Sequence, residues 1–248
     1  MSAIGAMWLR QLKKYWRSKP RMIGSLAQPL LFLVALGFGL GPIFEKAGGG
    51  NYIQFLAPGV IAMGIMFTAM FSGIEVLWDR QFGFLKETLV SPSSRFSIFL
   101  GRTLGGATVA TIQGVLVLVI AMLIGFRPDN ILLIPFAVIF MFLIAMMFTA
   151  FGTAIATRME DMQAFPLIMN FIMMPLFFLS GSLFPLESAA GAIKTIGVFN
   201  PLSYGVDGLR LTLLGNAHFG ILWDLNILVG VNLILFLLGV YLFSKIKT

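Results

Sequence analysis

The sequence contains no cysteine and a single histidine, His218. Without cysteine the chain has no disulfide framework and no thiolate for metal binding or nucleophilic attack. One histidine cannot build a multi-histidine metal site. No Ser-His-Asp set or pair of carboxylates stands out along the chain. These absences predict a protein that is not an enzyme and that holds no metal or cofactor of its own.

Charged residues are also scarce. They make up 11% of the 248 residues, whereas hydrophobic residues make up 58%, and the mean hydropathy is +0.95. A soluble domain normally carries about 25% charged residues, so this chain lacks the polar surface that would coat a globule in water. Lipid tails can take the place of water around apolar faces. The composition therefore predicts an integral membrane protein.

The charges that are present are mostly basic, with 17 Lys and Arg against 10 Asp and Glu and a formal net charge of +7. In a soluble protein this excess would suggest nucleic-acid binding. Here the basic residues lie between apolar blocks, which fits membrane orientation and contact with anionic headgroups. Membrane lipid is the expected partner, and no nucleic acid is expected.

The sequence also lacks a nucleotide-binding loop. Such a loop needs a glycine-rich turn followed by lysine, because backbone N–H groups and an ammonium group cradle the phosphates. The chain contains no Gly-Lys dipeptide. Any ATP and Mg²⁺ that this protein's function requires would therefore be bound by a partner protein.

The apolar residues fall into six segments, each long enough to cross a bilayer core, which needs about 20 residues. They predict one all-α membrane domain over residues 1–248. The six predicted spans are 22–44, 53–78, 103–126, 131–157, 164–184 and 221–243.

Basic residues in the loops predict the orientation of these spans. With a cytoplasmic N-terminus, 13 Lys and Arg lie on the inner side and 4 on the outer side, namely Lys46, Arg127, Lys194 and Arg210. Six spans then place both termini in the cytoplasm, and we expect a multi-pass protein of the plasma (inner) membrane.

Residues 1–21 predict an amphipathic helix that ends at Pro20. It is too polar to cross the membrane, so it is expected in the cytoplasmic interface with its tryptophans at headgroup depth. Its amphipathic character suits a lipid anchor and a mechanical element equally. The residues that define it are Trp8, Arg10, Lys13, Lys14, Trp16 and Arg17.

Residues 79–102 predict a cytoplasmic loop that is too charged for the membrane. Within it, residues 82–90 suit a short helix with Phe82, Leu85 and Leu89 on one face, which Pro92 stops. Apolar groups exposed among charges suit a protein partner. The alternative is a loop that rests on lipid.

Glu75 is the acid that we single out inside a predicted span, 53–78. It lies one turn from Trp78 and therefore about 4.5 Å from the cytoplasmic interface along the helix axis. A charge inside the membrane is costly, so we expect a partner, either Gln113 or a basic residue at the cytoplasmic rim. The alternative is an interfacial carboxylate that binds water. Gly101 and Gly105 have the spacing that lets helices approach closely.

Two motifs resemble a known family. The run from Asp79 to Arg95 resembles the cytoplasmic signature of type-2 ABC exporter permeases. The run Ser180–Glu187, followed by Asn200–Arg210, is similar to the segment between spans five and six in the drug-resistance and nodulation-type branch. The similarity covers nearly the whole chain, although relatives often carry a proline soon after the acid that matches Glu187, and this chain has Ser188-Ala-Ala-Gly.

The resemblance implies a permease that pairs with a second, identical permease and with two copies of an ABC ATP-binding subunit. It implies export of a hydrophobic drug, a lipid or a lipid-linked molecule. A polysaccharide exporter and an ATP-independent secondary transporter are the alternatives. It also implies that one set of residues couples the permease to the ATPase: Phe82, Phe84, Lys86, Glu87, Pro92 and Arg95.

The resemblance further implies short helices that partly re-enter the membrane from outside, in residues 185–218, called here the outer segment. Asn200 can cap a helix that has Pro201 at its first position. Asp207 and Arg210 then lie three residues apart and can pair. With Tyr204 nearby, such a helix fits an outer gate. The alternative is an ordinary surface helix.

Overall fold

The computed structural model describes residues 2–90, 93–186 and 189–246, without the side chains of Lys86 and Leu89. The described residues form helices and contain no strand. The helices are α1 (Ala3–Arg17), α2 (Lys19–Lys46), α3 (Tyr52–Phe71), α4 (Ile74–Gln81), α5 (Phe84–Val90), α6 (Arg95–Ile124), a 3-10 turn (Ile131–Leu133), α7 (Ile134–Ala156), α8 (Ala164–Phe178), α9 (Gly191–Phe199), α10 (Pro201–Leu214) and α11 (Ile221–Ser244).

Five helical stretches in the described residues are long and apolar enough to cross a membrane. They are α2, α3 with α4, α6, the 3-10 turn with α7, and α11. The apolar helix α8 is shorter, with 15 residues and therefore a length of about 22 Å. The predicted all-α membrane fold is confirmed, and the chain is a multi-pass membrane protein.

The fifth predicted span, 164–184, is too long. Helix α8 ends at Phe178, and residues 179–186 continue as a turn that contains Gly181 with a positive φ. Hydropathy alone did not reveal this end, because Leu179, Leu183 and Phe184 are as apolar as the helix before them. Pro20 was also misplaced, since it lies in the first turn of α2 and not at the end of α1.

Helix α3 is the centre of the bundle. Nearly every side chain from Leu56 to Met66 is buried, although a membrane helix could leave one side to lipid. Neighbouring helices approach it where glycines lie at the contacts. A Cβ added at Gly114 of α6 would lie 2.5 Å from Ile65, and one at Gly64 of α3 would lie 3.1 Å from Pro29 of α2. Small residues of this kind permit close helix packing.

The other helices surround this core unequally. Helix α10 is buried against α7 and α11, where Gly205 and Gly208 face Ile144 and Phe140. In contrast, α2 and α11 leave many large apolar side chains exposed. Examples are Ile23, Leu31, Phe38, Ile43, Leu222, Leu233, Ile234 and Leu237. Exposed apolar surfaces of this size fit contact with lipid or with another membrane protein.

Candidate functional site

Helix α4 carries two buried acids one turn apart. Glu75 and Asp79 are each 4% exposed. Glu75 forms ion pairs with Lys14 at 3.3 Å and Arg21 at 2.9 Å. Asp79 forms ion pairs with Arg10 at 2.6 Å and with the buried Arg102. These contacts join α1, α2 and α6 to α4, and the six residues are called here the α1–α4 ion cluster.

The order of the pairs gives the direction of the two helices. Arg10 and Lys14 are four residues apart on α1, and they contact Asp79 and Glu75, which are four apart on α4 in the reverse order. The two helices therefore run antiparallel along this contact. Removing one partner of a buried ion pair typically costs about 3–5 kcal/mol, because the remaining charge stays buried without compensation. Because Arg10 and Lys14 are 40% and 37% exposed, this cost applies chiefly to the pair of Asp79 and Arg102, and the cluster holds α4 more firmly against α6 than against α1.

Gln113 is not the partner of Glu75, so that part of the prediction is wrong. Its side-chain oxygen accepts a hydrogen bond of 2.6 Å from the hydroxyl of Tyr15, which is itself buried. Basic side chains reach Glu75 from α1 and α2 and leave no need for an amide. Sequence reasoning did not assign these contacts to Tyr15, Arg21, Asp79 or Arg102, because their proximity depends on how α1 docks.

Helix α1 packs closely on α6. A Cβ added at Gly101 would lie 2.8 Å from the carbonyl oxygen of Ile4, and one at Gly105 would lie 2.6 Å from Gln11. The indole N–H of Trp8 donates to the hydroxyl of Thr108 at 3.0 Å. Protein therefore covers the side of α1 that carries Trp8.

The opposite side of α1 stays open. Lys13, Trp16 and Arg17 are exposed, with 59% of Trp16 accessible. These residues remain available to headgroups or to another protein, whereas Trp8, which was predicted at headgroup depth, contacts α6 instead.

Helix α5 begins at Phe84, two residues later than the predicted start. Gly83 has a φ of +80°, a backbone conformation that suits glycine, and it separates α5 from α4. Phe82 therefore caps α4 and is 68% exposed, whereas Leu85 is 2% exposed. The prediction that these two side chains share one face is wrong, because the glycine turns the chain between them.

Leu85 anchors α5 to the bundle. It joins a small buried cluster with Ile98 and Phe99 of α6 and Phe243 of α11. Arg95 donates from Nη1 to the carbonyl of Ile246 at 3.2 Å. Opposite this anchor, Phe84, Glu87 and Val90 are exposed. Pro92 and the side chain of Lys86 lie outside the described residues.

In the outer segment, Asn200 holds the start of α10 as its cap. Its side-chain oxygen accepts from the N–H of Leu202 at 3.0 Å, and its amide donates to the carbonyl of Leu176 at 2.6 Å. Pro201 occupies the first turn, and the hydroxyl of Tyr204 donates to the carbonyl of Val198 at 2.7 Å. These bonds close a hairpin of α9 and α10 against the end of α8. Glu187 lies outside the described residues.

Asp207 and Arg210 form no ion pair with each other, so the predicted pair is wrong. The carboxylate of Asp207 accepts from the backbone N–H groups of His218 and Phe219, each at 2.8 Å. Arg210 donates from Nη2 to the carbonyl of Gly181 at 2.7 Å and lies 4.0 Å above the ring of Phe55.

Both side chains of this predicted pair satisfy backbone groups of neighbouring turns, which otherwise would be left without partners. Burial lowers the pKa of Arg210 to about 10, and Asp207 opposes that shift, so the guanidinium stays charged at neutral pH. The two residues therefore fasten α10 to the turns around residues 181 and 218.

Asp224 is a second acid within a predicted span, 221–243, and sequence reasoning passed over it. It is 0% exposed, and neither carboxylate oxygen has a hydrogen-bond partner among the described residues. It lies in the first turn of α11, where a carboxylate interacts favourably with the helix dipole. Within the described part of the chain, no three His, Asp or Glu residues are grouped to hold a metal ion.

The sequence matches the family model described as "ABC-2 type transporter" over residues 2–214. It is 30% identical to nodulation protein J of Rhizobium leguminosarum bv. trifolii over 214 residues, which cover 85% of this chain and 81% of that protein. It is 31% identical to the putative transport permease ycf38 of Pyropia yezoensis over 220 residues, which cover 84% and 72%. Together with the helical membrane fold, these matches show that the chain belongs to the ABC-2 type transporter family.

Proposed function

We propose that this chain is the membrane-spanning permease subunit of an ATP-driven exporter. Membership of the family implies, in general, an ATP-binding partner subunit. The chain itself lacks the Gly-Lys step that a phosphate-binding loop requires. In this proposal ATP and Mg²⁺ bind to two copies of the partner, and this chain pairs with a second, identical permease.

The exposed side of α5 is the proposed docking surface for the ATPase. Phe82 and Phe84 are 68% and 52% exposed, and Val90 is 80% exposed. Large apolar side chains are unfavourable in water, and their grouping beside the exposed Glu87 fits a protein–protein contact. Leu85 holds the opposite side of the helix in the bundle. In this proposal a force applied to α5 is therefore transmitted to the helix bundle through the contacts of Leu85.

The α1–α4 ion cluster is the observation that carries the proposed mechanism. Only Phe82 and Gly83 separate α4 from α5, so a displacement of α5 acts directly on α4. In this proposal the buried acids of α4 transmit the displacement to α6 through Arg102, whose separation from Asp79 is costly, and to α1 through the more exposed Arg10 and Lys14. Helix α1 thus acts as a mechanical element in addition to any contact with lipid headgroups.

Opening a path at the interface of two permeases is the proposed outcome of this displacement. In this proposal the hairpin of α9 and α10 closes the outer end of that path. Hydrogen bonds from Asn200, Tyr204 and Arg210 hold the hairpin in place. The cargo is proposed to be a hydrophobic drug, a lipid or a lipid-linked molecule. A polysaccharide is the alternative cargo. Both termini are proposed to be cytoplasmic, in the plasma membrane.

Reconstitution in liposomes tests this function. The complex that copurifies with the tagged chain is expected to move a fluorescent lipid only when ATP is hydrolysed. Replacing Glu87 by Arg is expected to weaken ATPase binding or transport, whereas Glu45→Arg, the same change at an exposed site near the other end of the bundle, leaves both unchanged. Transport by the isolated chain without an ATPase would contradict the proposal, as would full activity of Glu87→Arg.

A further inference from the structure

A cavity of about 600 Å³ lies beneath the outer segment. The start of α3, the turn between α6 and α7, and helix α10 form its walls. Among its lining residues are Gln54, Phe55, Arg127, Asp129, Arg210 and Leu214. Its volume falls within the range of sites that hold small molecules, about 300–1,000 Å³. Arg127 and Asp129 are exposed, so the cavity opens to the surface.

Two arginines line this cavity, and each is fixed through one end of its guanidinium. Arg127 donates from Nη1 to the carbonyls of Met122 at 2.8 Å and Phe126 at 3.3 Å. Arg210 donates from Nη2 to the carbonyl of Gly181 at 2.7 Å. Among the described residues, neither Nη2 of Arg127 nor Nη1 of Arg210 has an acceptor. Each guanidinium is therefore held from one side and keeps a donor group that no described residue occupies.

Among the described residues, neither acid that lines the cavity, Asp129 or Asp207, forms an ion pair with these arginines. Asp207 is engaged by two backbone N–H groups, those of His218 and Phe219. Asp129 contributes its backbone N–H to the carbonyl of Leu213, but within the described ranges its carboxylate forms no ion pair with either arginine. Within the described residues, the two guanidiniums thus keep N–H donors that no carboxylate occupies, and such donors form strong charge-assisted hydrogen bonds with anions.

We propose that this cavity, which Arg127 and Arg210 both line, binds an anionic group such as a carboxylate, phosphate or sulfate. Guanidinium groups held in a fixed orientation suit planar or tetrahedral oxyanions, because several N–H donors can contact one anion. Phe55 and Leu214 give the cavity apolar walls, which suit the organic part of a larger ligand. The shared chemistry is an anionic headgroup, whether it belongs to a lipid, to a transported molecule or to free phosphate.

This proposal goes beyond the transport function and does not depend on it. Binding at equilibrium requires neither ATP nor the partner subunit. The purified chain alone therefore tests the anion site, and a failure of transport in the assembled complex would leave the binding result unaffected.

The test measures binding of inorganic phosphate to the purified chain in neutral detergent, with chloride at the same ionic strength as reference. We expect saturable binding that is weakened roughly three- to tenfold by Arg127→Gln, the loss of about one charge-assisted hydrogen bond. The matched controls are Lys46→Gln and Lys194→Gln, which remove exposed positive charges in neighbouring parts of the chain and should leave the affinity unchanged. Arg210→Lys keeps the charge but loses the second N–H donor group of the guanidinium, so it should also weaken phosphate binding.

Asp129→Asn tests whether the site favours anions, because removing a negative charge beside the cavity should strengthen phosphate binding. A second pair of titrations compares short-chain phosphatidylglycerol with phosphatidylcholine. Binding of phosphatidylglycerol that is lost in Arg127→Gln identifies a lipid source, and binding of inorganic phosphate alone identifies a free ion. Equal phosphate affinity in Arg127→Gln, Lys194→Gln and the unaltered chain, or weaker binding by Asp129→Asn, would overturn the proposal.

Discussion

The two ends of the helix bundle stabilise their buried charges in different ways. At the α4 end, side chains of opposite charge pair between separate helices, as Glu75 does with Lys14 and Arg21. In the outer segment, Asp207 and Arg210 bind backbone groups of turns instead of each other. An ion pair can re-form in another geometry, whereas a capped turn is bound to one conformation. This difference fits the proposed roles of the two ends, transmission of force at α4 and closure of the path at the outer segment.

The largest effect is expected from Asp79→Ala. The substitution leaves Arg102, which is 4% exposed, without its carboxylate partner and also frees Arg10. The free energy of unfolding should fall by about 3–5 kcal/mol, the usual cost of breaking a buried ion pair. Unfolding in mixed micelles measures the change. Glu160→Ala, at an exposed acid in the α7–α8 loop, should change the stability by less than about 0.5 kcal/mol.

An exchange of charges sharpens the contrast between the two ends. Glu75→Lys alone should destabilise the fold, and adding Lys14→Glu should recover about 1–2 kcal/mol, because the pair re-forms with reversed signs. Arg21 then faces a positive charge in place of the carboxylate, which limits the recovery. Exchanging Asp207 and Arg210 should recover no stability relative to the single variants, since backbone N–H groups cannot bind an arginine. If the stability recovered in both double variants, measured by the same unfolding experiment, the two ends would not differ in how they stabilise buried charges.

A smaller effect than that of Asp79→Ala is expected where α1 meets α6. In Gly101→Ala the new methyl group would lie 2.8 Å from the carbonyl oxygen of Ile4, so α1 must shift. The cost should be about 1–3 kcal/mol, typical of overpacking. Gly39→Ala is the matched control, because nothing lies within 4 Å of its added Cβ and alanine favours helix. Limited proteolysis of residues 1–21 should increase for Gly101→Ala alone.

The smallest effect is expected from Trp8→Phe. The change keeps an aromatic ring against α6 but removes the hydrogen bond to Thr108, which measures 3.0 Å. The loss should be about 0.5–1.5 kcal/mol. Thr108→Val should give a similar loss, and the double variant should add little more, because both remove the same bond. Fully additive losses would show that the bond contributes nothing.

Hydropathy and the scarcity of charge predicted the helical membrane fold because these signals depend only on composition and local sequence, whereas the orientation predicted from loop charges stays a prediction. The length of α8 escaped them, since the apolar run continues through the turn at Gly181. The predicted ion pair between Asp207 and Arg210 was wrong for a related reason. Helical spacing shows which side chains are neighbours on one helix, but it does not show the competing backbone groups that distant turns bring near.

The α1–α4 ion cluster illustrates the same limit. A basic partner for Glu75 could be expected from its cost inside a membrane, yet the choice among basic residues required the docking of α1. Asp79 was assigned to a loop, although it lies on α4 and is as buried as Glu75. Its partner Arg102 lies 23 positions away in the sequence, so no local pattern connects the two residues.

The central claim is that the α1–α4 ion cluster transmits force from the ATPase to the membrane path. The most direct test is the number of cargo molecules moved per ATP hydrolysed in liposomes that contain the assembled complex. Arg10→Gln removes one half-exposed partner and leaves Arg102 with Asp79, so folding is preserved. We expect this ratio to fall about three- to tenfold, while Lys13→Gln, at an exposed site on the same helix, leaves it unchanged. Equal ratios in both variants and the unaltered complex would contradict the account.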